Sequence, residues 1–252
     1  MDVEELGRLW GSLDDIENYT YREVHDNDKP DFEGLKEGFN DLEDLNRLKA
    51  ALVMLRQKKG ASITQKFDSK NSLEEFADFL SEQGLHVWTG VGLEEDDFVY
   101  AEVFLSYRSR PKGFFDSYQD MRDKRPAQYH RKMGEFFGYP EESIEAFLRK
   151  PSLLQRAREF LAYHLGLSLE RQNINGVKES IEKYGDDLSD RQKKDVRTLI
   201  FYMLDDSEQA FNCAVETAEA RRESLEELRD EEDVDFTGLQ ESYAEMLDGF
   251  GE

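Results

Sequence analysis

The chain has little of several features that mark familiar protein classes. Its single cysteine, Cys213, excludes an internal disulfide and any zinc or iron–sulfur site built from several cysteines. It has only five prolines, and no apolar run approaches the roughly 18 residues of a membrane-spanning helix. The first residues, Met-Asp-Val-Glu-Glu, lack the basic segment of a signal peptide. We expect a cytoplasmic protein with no cofactor, no metal and no membrane partner.

Apolar and basic side chains are both scarce. Hydrophobic residues make up 38% of the chain, and 33 basic against 57 acidic residues leave a formal net charge of −24. Disordered chains share such a composition, but 17 Phe, 11 Tyr and 2 Trp indicate a folded core. A carboxylate-rich surface stays soluble in concentrated salt, where charges are screened over about 3 Å at 1 M. The composition favours a halophilic protein, with an ordinary acidic protein as the alternative.

The hydrophobic pattern predicts an α+β protein that is mainly helical. A small, mainly antiparallel sheet is expected within residues 61–107, with strands at 61–67, 86–91 and 98–107 and an acidic turn joining the last two. Helices packed around this sheet are predicted at 42–59 and, with a capping box that begins at Ser72, up to Gly84. We therefore expect an N-terminal α+β region over residues 1–125.

A C-terminal helical region over residues 126–252 follows. Its predicted helices are 128–137, 141–149, 153–165, 175–184, 191–204 and 208–229. Gly138 is expected as a left-handed helix cap, and Ser189 as the start of a capping box. Cys213 lies in the apolar stretch Ala-Phe-Asn-Cys-Ala-Val, which predicts a buried, unreactive side chain.

One stretch of the chain reverses the overall charge. Residues 108–132 hold eight basic and three acidic side chains, a local charge of +5, whereas the rest of the chain carries −29. Clustered like charges repel, so we expect a compensating anion, either the protein's own carboxylates or an external ligand. The candidate anion-binding residues are Arg108, Arg110, Lys112, Arg122, Lys124, Arg125, Arg131 and Lys132.

Four aromatic residues interleave with these cations: Phe114, Phe115, Tyr118 and Tyr129. Aromatic faces beside Arg and Lys are typical of sites that stack bases and neutralise phosphates in single-stranded nucleic acids or nucleotides. In the alternative, the rings face the core and the cations pair with the acidic C-terminal half. Both arrangements remain open at this point.

His130 lies inside the basic stretch and is the candidate catalytic residue. An imidazole with an ordinary pKa near 6.5 suits a general acid or base beside arginines that hold phosphate oxygens. A hydrogen-bonded surface histidine is the alternative. The other histidines lack metal-ligand spacing, and the chain has no P-loop, dinucleotide-binding or nucleophile-elbow motif.

Residues 130–147, His-Arg-Lys-Met-Gly-Glu-Phe-Phe-Gly-Tyr-Pro-Glu-Glu-Ser-Ile-Glu-Ala-Phe, resemble a motif of prokaryotic, notably archaeal, families of unknown function. In that motif a helix with an early glycine runs into Gly-Tyr-Pro, and a second helix follows. The resemblance implies that the corner at residues 138–140 is a hub of the fold. Many members place cysteines just after the proline, where this chain has Glu141 and Glu142, so thiol or metal chemistry does not carry over.

These observations favour a non-enzymatic binding or regulatory protein whose partner is anionic, such as RNA, a nucleotide or a phosphorylated ligand. An enzyme that acts on a phosphorylated small molecule through His130 is one alternative. A helical module that binds another protein through Phe211, Val215 and neighbouring residues is the other.

Salt adaptation has a direct test. Thermal unfolding measured from about 0.1 M to 3 M KCl is expected to show a falling melting temperature as salt is withdrawn, because repulsion among the carboxylates is then less screened. A melting temperature that stays constant or rises on dilution of the salt would favour the ordinary acidic protein.

Overall fold

A computed structural model describes residues 3–14, 16–25, 29–39, 42–110, 112–115, 125–149, 169–201 and 204–249. It has the predicted class: mainly helical, with a small antiparallel sheet packed by helices and a helical C-terminal region. The chain divides into two compact units, residues 1–138 and 139–252.

The first unit contains the sheet. Its elements among the described residues are α1 (Val3–Asp14), β1 (Thr20–Arg22), α2 (Phe32–Glu37), α3 (Asp44–Met54), β2 (Gly60–Phe67), α4 (Lys70–Glu82), β3 (His86–Glu95), β4 (Phe98–Ser106), a 3-10 turn (Lys112–Phe115) and α5 (Pro126–Phe137). The second unit is helical where it is described, with α6 (Glu141–Arg149), α7 (Leu169–Tyr184), α8 (Asp190–Leu199), α9 (Glu208–Glu232) and α10 (Thr237–Gly249). No helix in the described ranges has both the length and the apolarity to cross a bilayer.

The sheet has the strand order β1-β3-β4-β2, and each neighbouring pair is antiparallel. β3 and β4 form a hairpin, in which β3 continues to Glu95, beyond the predicted strand end at residue 91 and into the predicted acidic turn. β2 pairs with β4 along its whole length, with Gly60 opposite Ser106. β1 and α1 were not predicted. A three-residue strand is too short to show the alternation by which strands are recognised.

Helices pack on both faces of the sheet. On one face α3 and α4 cover the side chains of Ile63, Phe67 and their neighbours. On the other face α1, the 3-10 turn and α5 contribute to an aromatic cluster around Trp88 and Phe104. The ring of Phe115 stacks on that of Phe104 with centroids 4.2 Å apart, so the segment after β4 is anchored in the core.

The compact units divide after Gly138, whereas the sequence suggested a division after Arg125. The physical reason is burial, because Met133 and Phe136 of α5 belong to the aromatic cluster of the first unit. Gly138 then ends the helix with a φ of +77°, the left-handed cap that the sequence predicted.

Several predicted helix boundaries are wrong. α3 ends at Met54, before the predicted end at residue 59, and α8 ends at Leu199, before the predicted end at residue 204. The capping box of α4 begins at Ser69, whose hydroxyl accepts from the backbone N–H of Ser72 at 3.1 Å. The capping box at Ser189 is confirmed, and the predicted helix at 153–165 lies outside the described residues.

The core of the second unit follows one face of α9. Phe211, Ala214 and Ala218 are buried at three- and four-residue steps. Cys213 lies two residues from Phe211, about 200° around the helix, and is exposed. The prediction that Cys213 is buried is therefore wrong, because apolar neighbours in sequence do not all share the buried face.

A buried polar network joins three helices of the second unit. The amide of Gln240 in α10 donates to Asp195 Oδ1 in α8 at 3.0 Å, and Arg222 NH1 in α9 lies 3.4 Å from Asp195 Oδ2. Burial raises the pKa of Asp195, against the lowering effects of Gln240 and Arg222. The folded state therefore holds the Asp195 proton more tightly than the unfolded chain, and this contribution to stability is lost as pH rises through the raised pKa.

Gly60 lies where α5 contacts β2, and this contact can be tested. A Cβ at Gly60 would lie 2.9 Å from Leu105 O, Phe136 O and Phe136 Cε1. Gly60→Ala is expected to lower the free energy of unfolding by about 1–3 kcal/mol, because two of these atoms belong to the backbone and cannot turn aside. Urea unfolding followed by tryptophan fluorescence measures the change.

Gly11→Ala is the matched control, since a Cβ at Gly11 in α1 would meet nothing within 4 Å. We expect this substitution to raise the free energy of unfolding by up to about 1 kcal/mol through helix propensity. Equal effects of the two substitutions would contradict the close approach of α5 to β2.

Candidate anion-binding surface

The structure places five of the eight candidate cations, in three parts of the first unit. Arg108 and Arg110 follow β4, Arg125 immediately precedes α5, and Arg131 and Lys132 lie within α5. The side chain of Lys112 and the whole of Arg122 and Lys124 lie outside what the structure describes.

Four of these cations have no carboxylate partner among the residues that the structure describes: Arg108, Arg110, Arg125 and Lys132. Of these four, Arg108, Arg125 and Lys132 are exposed and Arg110 is half-buried. Arg131, the fifth described candidate, is also half-buried. Within the described ranges, the protein's own carboxylates therefore do not neutralise these four side chains.

Arg110 reaches the last turn of α5. Its NH2 group lies 3.5 Å from the carbonyl oxygen of Glu135, and its guanidinium carbon lies 5.7 Å from the ring centroid of Phe114. The C-terminal end of a helix carries partial negative charge, which a cation stabilises. The guanidinium of Arg110 thus contacts both α5 and Phe114. Its buried Nε has no hydrogen-bond partner in the described structure.

The aromatic residues of the basic stretch face the core. Phe115 is only 1% exposed, and the ring of Phe114 stacks on that of Phe136 with centroids 5.7 Å apart. Tyr129 is half-buried against the same cluster, and Tyr118 lies outside the described residues. The described rings therefore pack against the core. The exposed side chains of this surface include those of Arg108, Arg125 and Lys132.

Ser106 joins the basic stretch to a second basic loop that the sequence analysis missed. Its hydroxyl lies 2.9 Å from Lys59 O and 3.2 Å from Arg108 O, and it accepts from the Arg108 N–H at 3.1 Å. A signal for this loop was present, because residues 45–67 contain six basic and no acidic residues. The loop itself, residues 55–59, has no aromatic residue and so lacks the combination of rings and cations that marks residues 108–132.

His130 is half-buried on α5, and its ring centroid lies 5.1 Å from that of Tyr129, edge to face. Burial lowers the pKa of His130 below 6.5. The neutral imidazole therefore predominates at neutral pH, a state that suits a general base and not a general acid. The described residues contain no group of three or more His, Cys, Asp or Glu side chains placed to hold a metal ion.

Of the apolar residues proposed for a protein partner, Phe211 belongs to the second unit's own core. Phe211 is buried, with its ring centroid 5.9 Å from that of Tyr184, and Val215 is half-buried. Phe211 is therefore not part of an exposed docking face.

No family model, curated protein or solved structure matches the chain. The resemblance of residues 130–147 to prokaryotic families stays a prediction, although the Gly-Tyr-Pro corner does join α5 to α6. The case for a function therefore depends on the geometry of the described residues.

The state of His130 can be measured by NMR. We expect its imidazole protons to titrate with a midpoint below 6.5 in the folded protein, because burial disfavours the charged ring. His130→Gln identifies the signal, and unfolding in urea should move the midpoint up towards 6.5. A folded midpoint at or above 6.5 would contradict this account of the site.

Proposed function

We propose that this protein is a non-enzymatic binding protein that holds the phosphate groups of RNA on a basic surface that includes Arg108, Arg125 and Lys132. The observation that carries the proposal is the exposure of Arg108, Arg125 and Lys132 without a carboxylate partner among the described residues. These cations occur in a protein with a net charge of −24.

Some basic side chains elsewhere in the described structure pair with acidic side chains. Lys183 lies 2.7 Å from Asp206, and Arg22 lies 2.9 Å from Asp78. With 57 acidic residues in the chain, pairing is readily available to a surface cation. Cations that stay apart from this excess of carboxylates keep a local positive potential, which attracts an external anion.

The spread of the cations favours a polyanion over a small ligand. Arg125 precedes α5 and Lys132 lies seven residues along it, a separation of about 10 Å at the helical rise of 1.5 Å per residue. Arg108 approaches from the end of β4. Arg125 and Lys132 can therefore each contact a different phosphate of one RNA chain, which a ligand with a single phosphate group does not offer.

The packing of the rings determines the mode of binding that we propose. Phe114 and Phe115 contribute to the core, so they are not offered to bases as a stacking platform. Contacts to phosphates position a nucleic acid without reading its sequence. The proposed binding is therefore electrostatic, tolerant of sequence and strongly dependent on salt.

Fluorescence anisotropy with a labelled single-stranded RNA of mixed sequence tests the proposal. We expect Arg125→Glu with Lys132→Glu to weaken binding by at least tenfold, because two phosphate contacts become repulsive. The slope of log affinity against log KCl concentration is negative, and it should become less steep by about 1.4, at about 0.7 per lost phosphate contact. Circular dichroism at each KCl concentration confirms that the proteins are folded.

The matched control is Lys178→Glu with Arg229→Glu, which changes the net charge equally at two exposed positions of the second unit. Its RNA affinity should stay within about threefold of the original. Absence of RNA binding by the unaltered protein, or equal weakening by both double substitutions, would overturn the proposal.

A further inference from the structure

We infer that Arg56 and Lys59, in the loop before β2, join Arg108 and Arg110 to form a phosphate-binding site at one end of the sheet. The inference rests on the proposed function, because it assigns additional residues and a ligand class to the same basic surface. The ligand class is the phosphate group, whether it belongs to RNA or to a free polyphosphate.

Two acid-free stretches of the chain supply these residues. Residues 45–67 hold six basic and no acidic side chains, and residues 103–115 hold three basic and no acidic side chains. A chain with 57 acidic residues in 252 would place about five of them in any 23 residues. The two stretches therefore depart from the acidic background in the same direction.

Strand pairing brings the two stretches together. β2 and β4 run antiparallel with Gly60 opposite Ser106, so the chain before β2 and the chain after β4 leave the sheet at the same end. The Ser106 hydroxyl contacts the carbonyl oxygens of Lys59 and Arg108 at 2.9 and 3.2 Å. Lys59 and Arg108 are thus held next to each other by a buried side chain.

The loop before β2 contains a residue with a backbone conformation that is rare outside glycine. Arg56 has a φ of +60°, a left-handed conformation that residues with a Cβ rarely adopt. The backbone N–H groups of Gln57 and Lys58 both donate to Leu52 O, at 2.9 and 3.0 Å, and hold this turn in place. The side chain of Arg56 is exposed.

The last turn of α5 supports the two half-buried cations. The stem of Lys59 packs against Gly138, with its Cγ 2.7 Å from where a Cβ on that glycine would lie. Arg110 NH2 lies 3.5 Å from Glu135 O on the same turn. A packed stem leaves the charged end of a lysine directed to water, where a phosphate can reach it.

The charge of this cluster is not compensated within the described residues. None of Arg56, Lys59, Arg108 and Arg110 forms an ion pair there, and neither does Glu135, the acidic residue on the adjoining turn. Guanidinium groups present several N–H donors that match phosphate oxygens. An uncompensated group of three arginines and one lysine is therefore suited to a phosphate.

The test uses the full chain with two probes, the labelled RNA described above and sodium tripolyphosphate, the latter followed by isothermal titration calorimetry. Arg56→Gln with Lys59→Gln removes two charges of the loop and keeps its other residues. We expect RNA affinity to fall at least fivefold. The negative slope of log affinity against log KCl concentration should become less steep by about 1.4. Arg108→Gln, on the other side of Ser106, should also weaken binding, and Lys178→Gln with Arg229→Gln should not.

The outcomes separate this inference from the proposed function. RNA binding that Arg125→Glu with Lys132→Glu weakens, but that Arg56→Gln with Lys59→Gln leaves unchanged, would overturn the inference and leave the proposed function in place. If RNA is not bound, the proposed function fails and tripolyphosphate decides the inference. Tripolyphosphate binding lost in the Arg56→Gln, Lys59→Gln protein supports the site, and binding that is absent or unchanged overturns it.

Discussion

The packing of α5 on the sheet is the contact on which the basic surface depends. Phe136 enters the aromatic cluster with its ring centroid 5.9 Å from Phe104 and 6.0 Å from Trp88, edge to face in both pairs. Gly60 allows this close approach, because any side chain there would meet the backbone of the helix. With one face of α5 buried, Lys132 is left on the surface and the last turn of α5 is placed beside Arg110.

Aromatic and basic residues alternate in sequence but separate in space. Phe115 and Phe136 are buried in the cluster, while Arg108, Arg125 and Lys132 are exposed. The separation follows from free energy, because burying a ring is favourable and burying an unpaired cation is costly. Because of this separation, a stretch whose sequence resembles a base-stacking platform presents charged groups, and not the buried rings, to solvent.

Much of the fold could be predicted because its elements have strong local patterns. The hairpin of β3 and β4 shows in two β-rich runs around an acidic turn, and Gly138 ends α5 in the left-handed conformation that glycine favours. Local patterns failed where burial depends on distant contacts. The exposure of Cys213 is decided by which face of α9 packs inward, and a strand as short as β1 is stabilised mainly by its pairing with β3.

The amino-acid sequence by itself determined the excess of acidic residues, the positions of the basic stretches and most of the helices and strands, since these follow from composition and short-range periodicity. Only the tertiary structure decided that Lys59 lies beside Arg108, 49 positions along the chain, and that the rings between the cations turn inward. The physical reason is that strand pairing and core packing join residues far apart in sequence. Their partners are selected by burial and hydrogen bonding across the whole unit, which no local pattern records.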